Sequence, residues 1–184
     1  MTVLTAIKKE HGQLSGRLTL LKSEAYAWSH NQEPDYDLLH LLIQYFAKFP
    51  DEIHHKKEDL IYNALIGGGV LESEYLKRLK SEHEQMNALT QQFSANLENL
   101  AAHHVSPKWS LISDINNYID VLELHMADEE SQFLPLAEIE LSNKDLLGVH
   151  EIIQTELITD AAKQAFEDLS RLDSDIDQLV RKKK

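Results

Sequence analysis

Along residues 3 to 30, Leu4, Ile7, His11, Leu14, Leu18, Leu21, Ala25 and Trp28 follow one another at steps of three and four. That spacing predicts an amphipathic helix turning one face to a core. Asn31 to Pro34 reads as a loop, because proline ends helical continuity. A second stripe, from about 35 to 65, runs through Leu39, Leu42, Phe46, Phe49 and Ile53, then His54, Glu58, Ile61 and Leu65. Pro50 lies inside it and predicts a kink or short break just before the histidines. Gly67, Gly68 and Gly69 predict a stop. A third stripe, about 71 to 102, carries Leu76, Leu79, His83, Met86, Thr90, Phe93, Leu97 and Leu100. Ser106 and Pro107 then supply a cap and a first helical residue. A fourth, about 107 to 137, carries Leu111, Ile115, Tyr118, Leu122, His125, Glu129, Phe133 and Leu136.

Four long amphipathic segments with short connections predict an all-α fold, an antiparallel up-down-up-down four-helix bundle over residues 1–141. Leu141 to Asp145 reads as a loop with a new cap. Residues 142–184 form an additional C-terminal helical region, with Leu146, Val149, Ile153, Ala162, Ala165, Leu169, Leu172, Ile176 and Leu179 on its apolar side. Ile158, Thr159 and Asp160 are where it divides. This region is expected to pack on the bundle or to mediate association, a homodimer being the simplest form.

Composition narrows the chemistry. Six glycines and four prolines among 184 residues favour helices over a turn-rich sheet protein. Without any cysteine, disulfides, thiolate metal sites and cysteine nucleophiles are excluded. The net charge of −13 argues against nucleic acid or anionic lipid as a partner. The basic residues 181 to 184 complement a helix C-terminus. No apolar run reaches membrane-spanning length, and the first residues read as amphipathic helix rather than signal peptide, so a cytoplasmic location is the expectation.

Each predicted bundle helix places one histidine on its core-facing seam: His11, His54, His83 and His125. The second and fourth add Glu58 and Glu129 four residues on, so imidazole and carboxylate share a face one turn apart. A buried imidazole satisfies itself with one hydrogen bond, whereas two buried carboxylates are costly unless paired or metal-bound. Few Lys or Arg residues fall on the seams to balance them, so a dinuclear metal centre is the economical solution. His55 with Asp59 repeats the spacing one residue later, and the phase near Pro50 is soft, which makes His55 the rival to His54. His30, His40, His103, His104 and His150 fall at loops, helix ends or positions without a carboxylate partner, and are read as solvated. Tyr62 and Tyr118 are read first as core packing with a satisfied hydroxyl, and a hydrogen bond donated to a ligand is the alternative.

The stretches Glu10-His11, Phe49 to Asp59, Glu82-His83-Glu84, His125 to Glu130 and Phe133 to Glu138 together resemble the hemerythrin-like (HHE cation-binding) family. The resemblance covers about residues 1 to 150. It implies two iron ions in a bundle, joined by carboxylates and an oxo or hydroxo bridge. His11 and His54 would bind one iron and His83 and His125 the other, with Glu58 and Glu129 bridging. The oxygen-carrying members have a further histidine where this chain has Asn87, so both irons are expected to be under-coordinated. Ferritin-like centres, built on Glu-x-x-His, fit less well, since Glu52 to His55 is the match in this chain.

The function that follows from the resemblance is binding of dioxygen, peroxide or nitric oxide at the di-iron centre. Weak peroxidase or ferroxidase turnover is an enzymatic version of it. The alternative is an iron- or oxygen-sensing, iron-handling or iron-centre repair module without turnover of its own. A metal-free helical scaffold is the third class. Imidazole and carboxylate accept other divalent metals too, so iron rests on the resemblance alone.

Overall fold

A computed structural model describes residues 2–101, 108–156 and 159–182, without the side chains of residues 51, 52, 97, 100, 101, 160 and 161. The readings made above for Glu52, Leu97, Leu100, His103, His104, Ser106, Pro107, Ile158 and the last two lysines lie outside the described residues. The chain is all-α. Four antiparallel rods form the bundle: α1 (Val3–Ser29); α2 (Tyr36–Phe49) continuing through a π-helical turn (Pro50–His54) into α3 (His55–Gly67); α4 (Glu74–Ala101); and α5 (Lys108–Asp128) continuing through a second π turn (Glu129–Phe133) into α6 (Leu134–Glu140). Helix α1 packs against α2 and α5, and α4 against the same two, which closes the ring of four rods. Beyond them come α7 (Asn143–Glu156), lying on α3 and α1, and α8 (Asp160–Lys182), lying on α2.

The caps are local and readable. Thr2 accepts from Thr5 N and Asp35 from Leu38 N, each satisfying a free first-turn donor. Ser142 and Asp145 bond reciprocally as a capping box at the start of α7. Gly69, at φ +94°, takes the left-handed conformation that ends the second rod. Pro50 does not break its rod. The helix widens instead, the His55 N–H reaching back five residues to the Pro50 carbonyl. The turn before Pro135 does the same, with Leu134 N–H bonded to the Glu129 carbonyl.

The apolar side chains form two separate clusters. One gathers Leu14, Leu18, Phe46, Phe93, Tyr118 and Leu122 with their neighbours; the other gathers Ile7, Ile61, Leu65, Leu76, Phe133 and Ala137. Between them lies a layer of buried polar side chains. Tyr118 packs its ring 5.5 Å from Phe46 and 5.1 Å from Phe93. No helix among the described residues is long and apolar enough to cross a membrane.

Helix α8 buries Leu169, Leu172 and Ile176. Its polar latch is Arg17 on α1, which donates to Asp173 at 2.8 Å and Asp177 at 2.8 Å. The two aspartates are part-exposed, so the latch is worth about 1 kcal/mol rather than a buried pair's value. Arg17→Met is expected to lower stability by about that much and to speed amide exchange along residues 160 to 182 more than in α5, as read by hydrogen–deuterium exchange.

Candidate metal centre

His11, His54, His55, Glu58, His83, His125 and Glu129 meet in the polar layer between the two clusters. All are buried except His83, whose side chain keeps 13% of its surface. His54 and His55 both reach the centre, so the choice between them does not arise. Ile53, His54 and His55 are three consecutive buried residues, which a regular α-turn would fan over roughly 200°. The π turn adds a residue to that turn and brings both histidines inward. Beyond the centre, His30, His40 and His150 are exposed.

The donors fall into two groups, each with its ligand atoms within 4.8 Å of one another: His11, His54, Glu58 and Glu129, and His55, Glu58, His83 and His125. Glu58 belongs to both groups, and Glu129 reaches from the first towards His125 and His83 of the second. Glu58 Oε1 lies 2.9 Å from His54 Nε2 and 3.3 Å from His11 Nε2, while its Oε2 faces His83 Nε2 at 3.6 Å. Glu129 Oε2 lies 3.3 Å from His11 Nε2, and its Oε1 lies 3.3 Å from His125 Nε2 and 3.9 Å from His83 Nε2. The His55 and His83 rings stack at 4.1 Å.

Four further carboxylates sit behind the histidines. Glu10 Oε2 accepts from His54 Nδ1 at 2.9 Å, Glu82 Oε2 from His125 Nδ1 at 2.9 Å, and Glu130 Oε1 from His11 Nδ1 at 3.0 Å. Asp59 faces His83 Nδ1 at 3.5 Å, too long and misdirected for a good hydrogen bond. Each carboxylate comes from one rod and faces the histidine of the next: first to second, second to third, third to fourth, fourth back to first. Where it accepts from Nδ1–H, at His54, His125 and His11, it fixes the tautomer that leaves Nε2 free to bind a metal. Sequence reading missed these four roles, although each residue stands beside a ligand in the chain. Tyr62 is no part of the shell, since its hydroxyl donates to Glu72.

Electrostatics tests whether the residues suit a cation. Glu58 Oε2 and both oxygens of Glu129 are buried without a well-formed hydrogen bond. Among the described residues, only histidines pair with these two carboxylates. Burial works against protonating His11, but hydrogen bonds to Glu129 and Glu58 outweigh it and raise its pKa to about 10. The same contest, decided by Glu58 and Glu10, raises His54 to about 9; Asp59 and Glu129 raise His83 to about 10. Burial and the neighbouring His83 push His55 well below its ordinary value, leaving it neutral. Burial would raise Glu58, yet His54 and His11 hold it well below the usual carboxylate range. Buried carboxylates and imidazoles converging on two points fit divalent metal ions, which would take the place of the protons on His11, His54 and His83.

Histidine and carboxylate donors gathered from four antiparallel helices define a metal-binding helical bundle. The family model of the hemerythrin HHE cation binding domain matches residues 2–137, and the chain belongs to that family. Comparison with curated proteins and with solved structures found no match.

The raised histidines set a pH signature. Without metal, their stabilising contribution is full below the unfolded value of 6.5 and is lost as pH rises through about 9 to 10. Metal-stripped protein is therefore expected to melt at lower temperature at pH 9.5 than at pH 7. Metal affinity is expected to climb over the same window as proton competition fades. Calorimetry at pH 7 in buffers of different ionisation enthalpy is expected to find protons released on metal binding, one each from His11, His54 and His83.

Proposed function

We propose that His11, His54, Glu58 and Glu129 hold one iron ion, that His55, His83 and His125 hold a second while sharing both carboxylates, and that the pair binds dioxygen, peroxide or nitric oxide. The observation that carries this reading is the division of each glutamate's two oxygens between the two histidine groups. A carboxylate satisfied by a single ion has no need to face both ways. Other divalent metals fit the same donors, and iron rests on the family.

The two sets are unequal. Three imidazoles and two carboxylate oxygens serve one side, two and two the other. With His55 supplying the third imidazole, the absence of a histidine at Asn87 no longer leaves both ions equally short of ligands. By ligand count the ion of His11 and His54 is the one with a free position for an exogenous ligand. Iron there supplies affinity for a diatomic molecule or peroxide; the chain supplies a site whose donors are almost wholly buried. A void of about 10 Å³, space for one water-sized group, lies on the other side of the carboxylates, among Glu58, His83, Glu129 and Phe133. Leu79 and Phe133 close it on the apolar side.

One observation favours sensing as a second reading. Helix α7 lies directly on α3 and α1, the helices that carry His55, Glu58 and His11. A change in metal state that shifts those helices reaches residues 143 to 182 first. Metal-dependent protease sensitivity of that region supports sensing, whereas steady consumption of peroxide supports an enzyme.

The reading is tested by the metal content of anaerobically purified, ferrous-reconstituted protein and by its absorption spectrum before and after air. Two irons per chain and new near-ultraviolet bands are expected. In His55→Ala one iron is expected to leave at chelator concentrations that the wild type withstands, with affinity at that position down by about 10- to 100-fold or more. A single iron per wild-type chain, or none, overturns the dinuclear reading.

A further inference from the structure

The buried centre has one slack corner. His11, His54 and His125 are each held at Nδ1 by a carboxylate within 3.0 Å and are almost wholly buried. His83 is the most exposed of the ligand histidines, and its Asp59 partner stands 3.5 Å away and is 45% exposed. That corner opens onto a groove between the second rod and α4. A depression of about 380 Å³ has His55 and His83 at its floor, with the carboxylates of Asp59 and Glu84 and the amides of Asn87 and Gln91 along its walls. Lys56 lines it as well. Asn87 and Gln91 also border a second depression of about 310 Å³, which extends the groove past Ala47 and Ala95. Small side chains on the facing helices leave this space unfilled.

We propose that this groove is the port through which a hydrated divalent cation enters and leaves, with His83 as the gating ligand. The inference rests on the metal reading above. Carboxylate and amide oxygens at the mouth replace water around a hard cation one ligand at a time. The imidazole nitrogens at the floor then take it over. The acidic surface of the chain, at net charge −13, draws cations towards any such opening. His83 is the ligand best placed to swing towards the groove, because Asp59 stands off at 3.5 Å and Asn87, one turn on, lines the groove beside it.

The port predicts a kinetic effect without a thermodynamic one. Ala88 lines the groove, is exposed and supplies no donor atom, so Ala88→Phe narrows the passage while leaving the ligands alone. As a control, Ala165→Phe partly fills a cavity of about 400 Å³ among the second rod, α7 and α8, whose lining shares Lys56 with the groove but includes neither His55, His83, Asn87 nor Ala88. Metal-stripped wild type and both variants are mixed with cobalt(II) in a stopped-flow absorbance experiment, and release is followed with excess EDTA. In Ala88→Phe, loading and release are both expected to slow by about tenfold with the equilibrium affinity unchanged, while Ala165→Phe keeps wild-type rates. Wild-type rates in a folded Ala88→Phe, or equal slowing in Ala165→Phe, overturn the port. Wild-type protein that takes up no cobalt sinks the metal reading along with it, whereas two ions loaded at rates that Ala88→Phe leaves unchanged sink the port alone.

Discussion

Two carboxylates in the middle of a helical bundle are the constraint on which the rest of this structure depends. Glu58 and Glu129 are almost fully buried, with histidines rather than lysines or arginines beside them. An apolar core cannot hold such groups bare, because an uncompensated buried charge costs several kcal/mol or more. The fold answers by dividing its interior. Leucine, isoleucine and aromatic side chains make two separate clusters, and every polar group the centre needs lies in the layer between them. The apolar clusters supply the stability that the polar layer lacks, and they keep water from it.

Geometry within that layer is controlled from outside it. The π turns at Pro50–His54 and Glu129–Phe133 both fall where ligands leave the rods. In each, one wider turn re-phases the helix just before a proline or just after one. A regular helix would have to choose between His54 and His55. The widened one presents both, and the second histidine turns a symmetrical pair of sites into unequal ones. That inequality gives one donor group three imidazoles and the other two.

Much of this was legible in the sequence, and the failures have physical causes. The stripe from Leu4 to Trp28 is buried at every position read from it, because a regular helix keeps constant phase and three-four spacing reports that phase directly. Proline at position 50 was visible, but its effect was not. A break, a kink and a π turn all relieve the same missing N–H, and which one forms depends on packing around the rod. His55 therefore looked like a competitor of His54. The carboxylates behind the histidines were hidden differently. Glu10 precedes His11 but holds His54, and Glu82 precedes His83 but holds His125. Adjacency along the chain pointed to the wrong partner in both cases, since the pairing is made across rods.

That pairing across rods ties the evolutionary fate of residues far apart in the chain. Positions 10 and 54, 82 and 125, and 130 and 11 each form a hydrogen-bonded unit across two rods, and 59 and 83 a looser fourth, so a change on one rod is felt on its neighbour. Because the four units close on themselves, no rod can be exchanged for a foreign one without breaking two of them at once. A substitution at any of these positions is thus a change to two rods at once, whatever the distance along the chain.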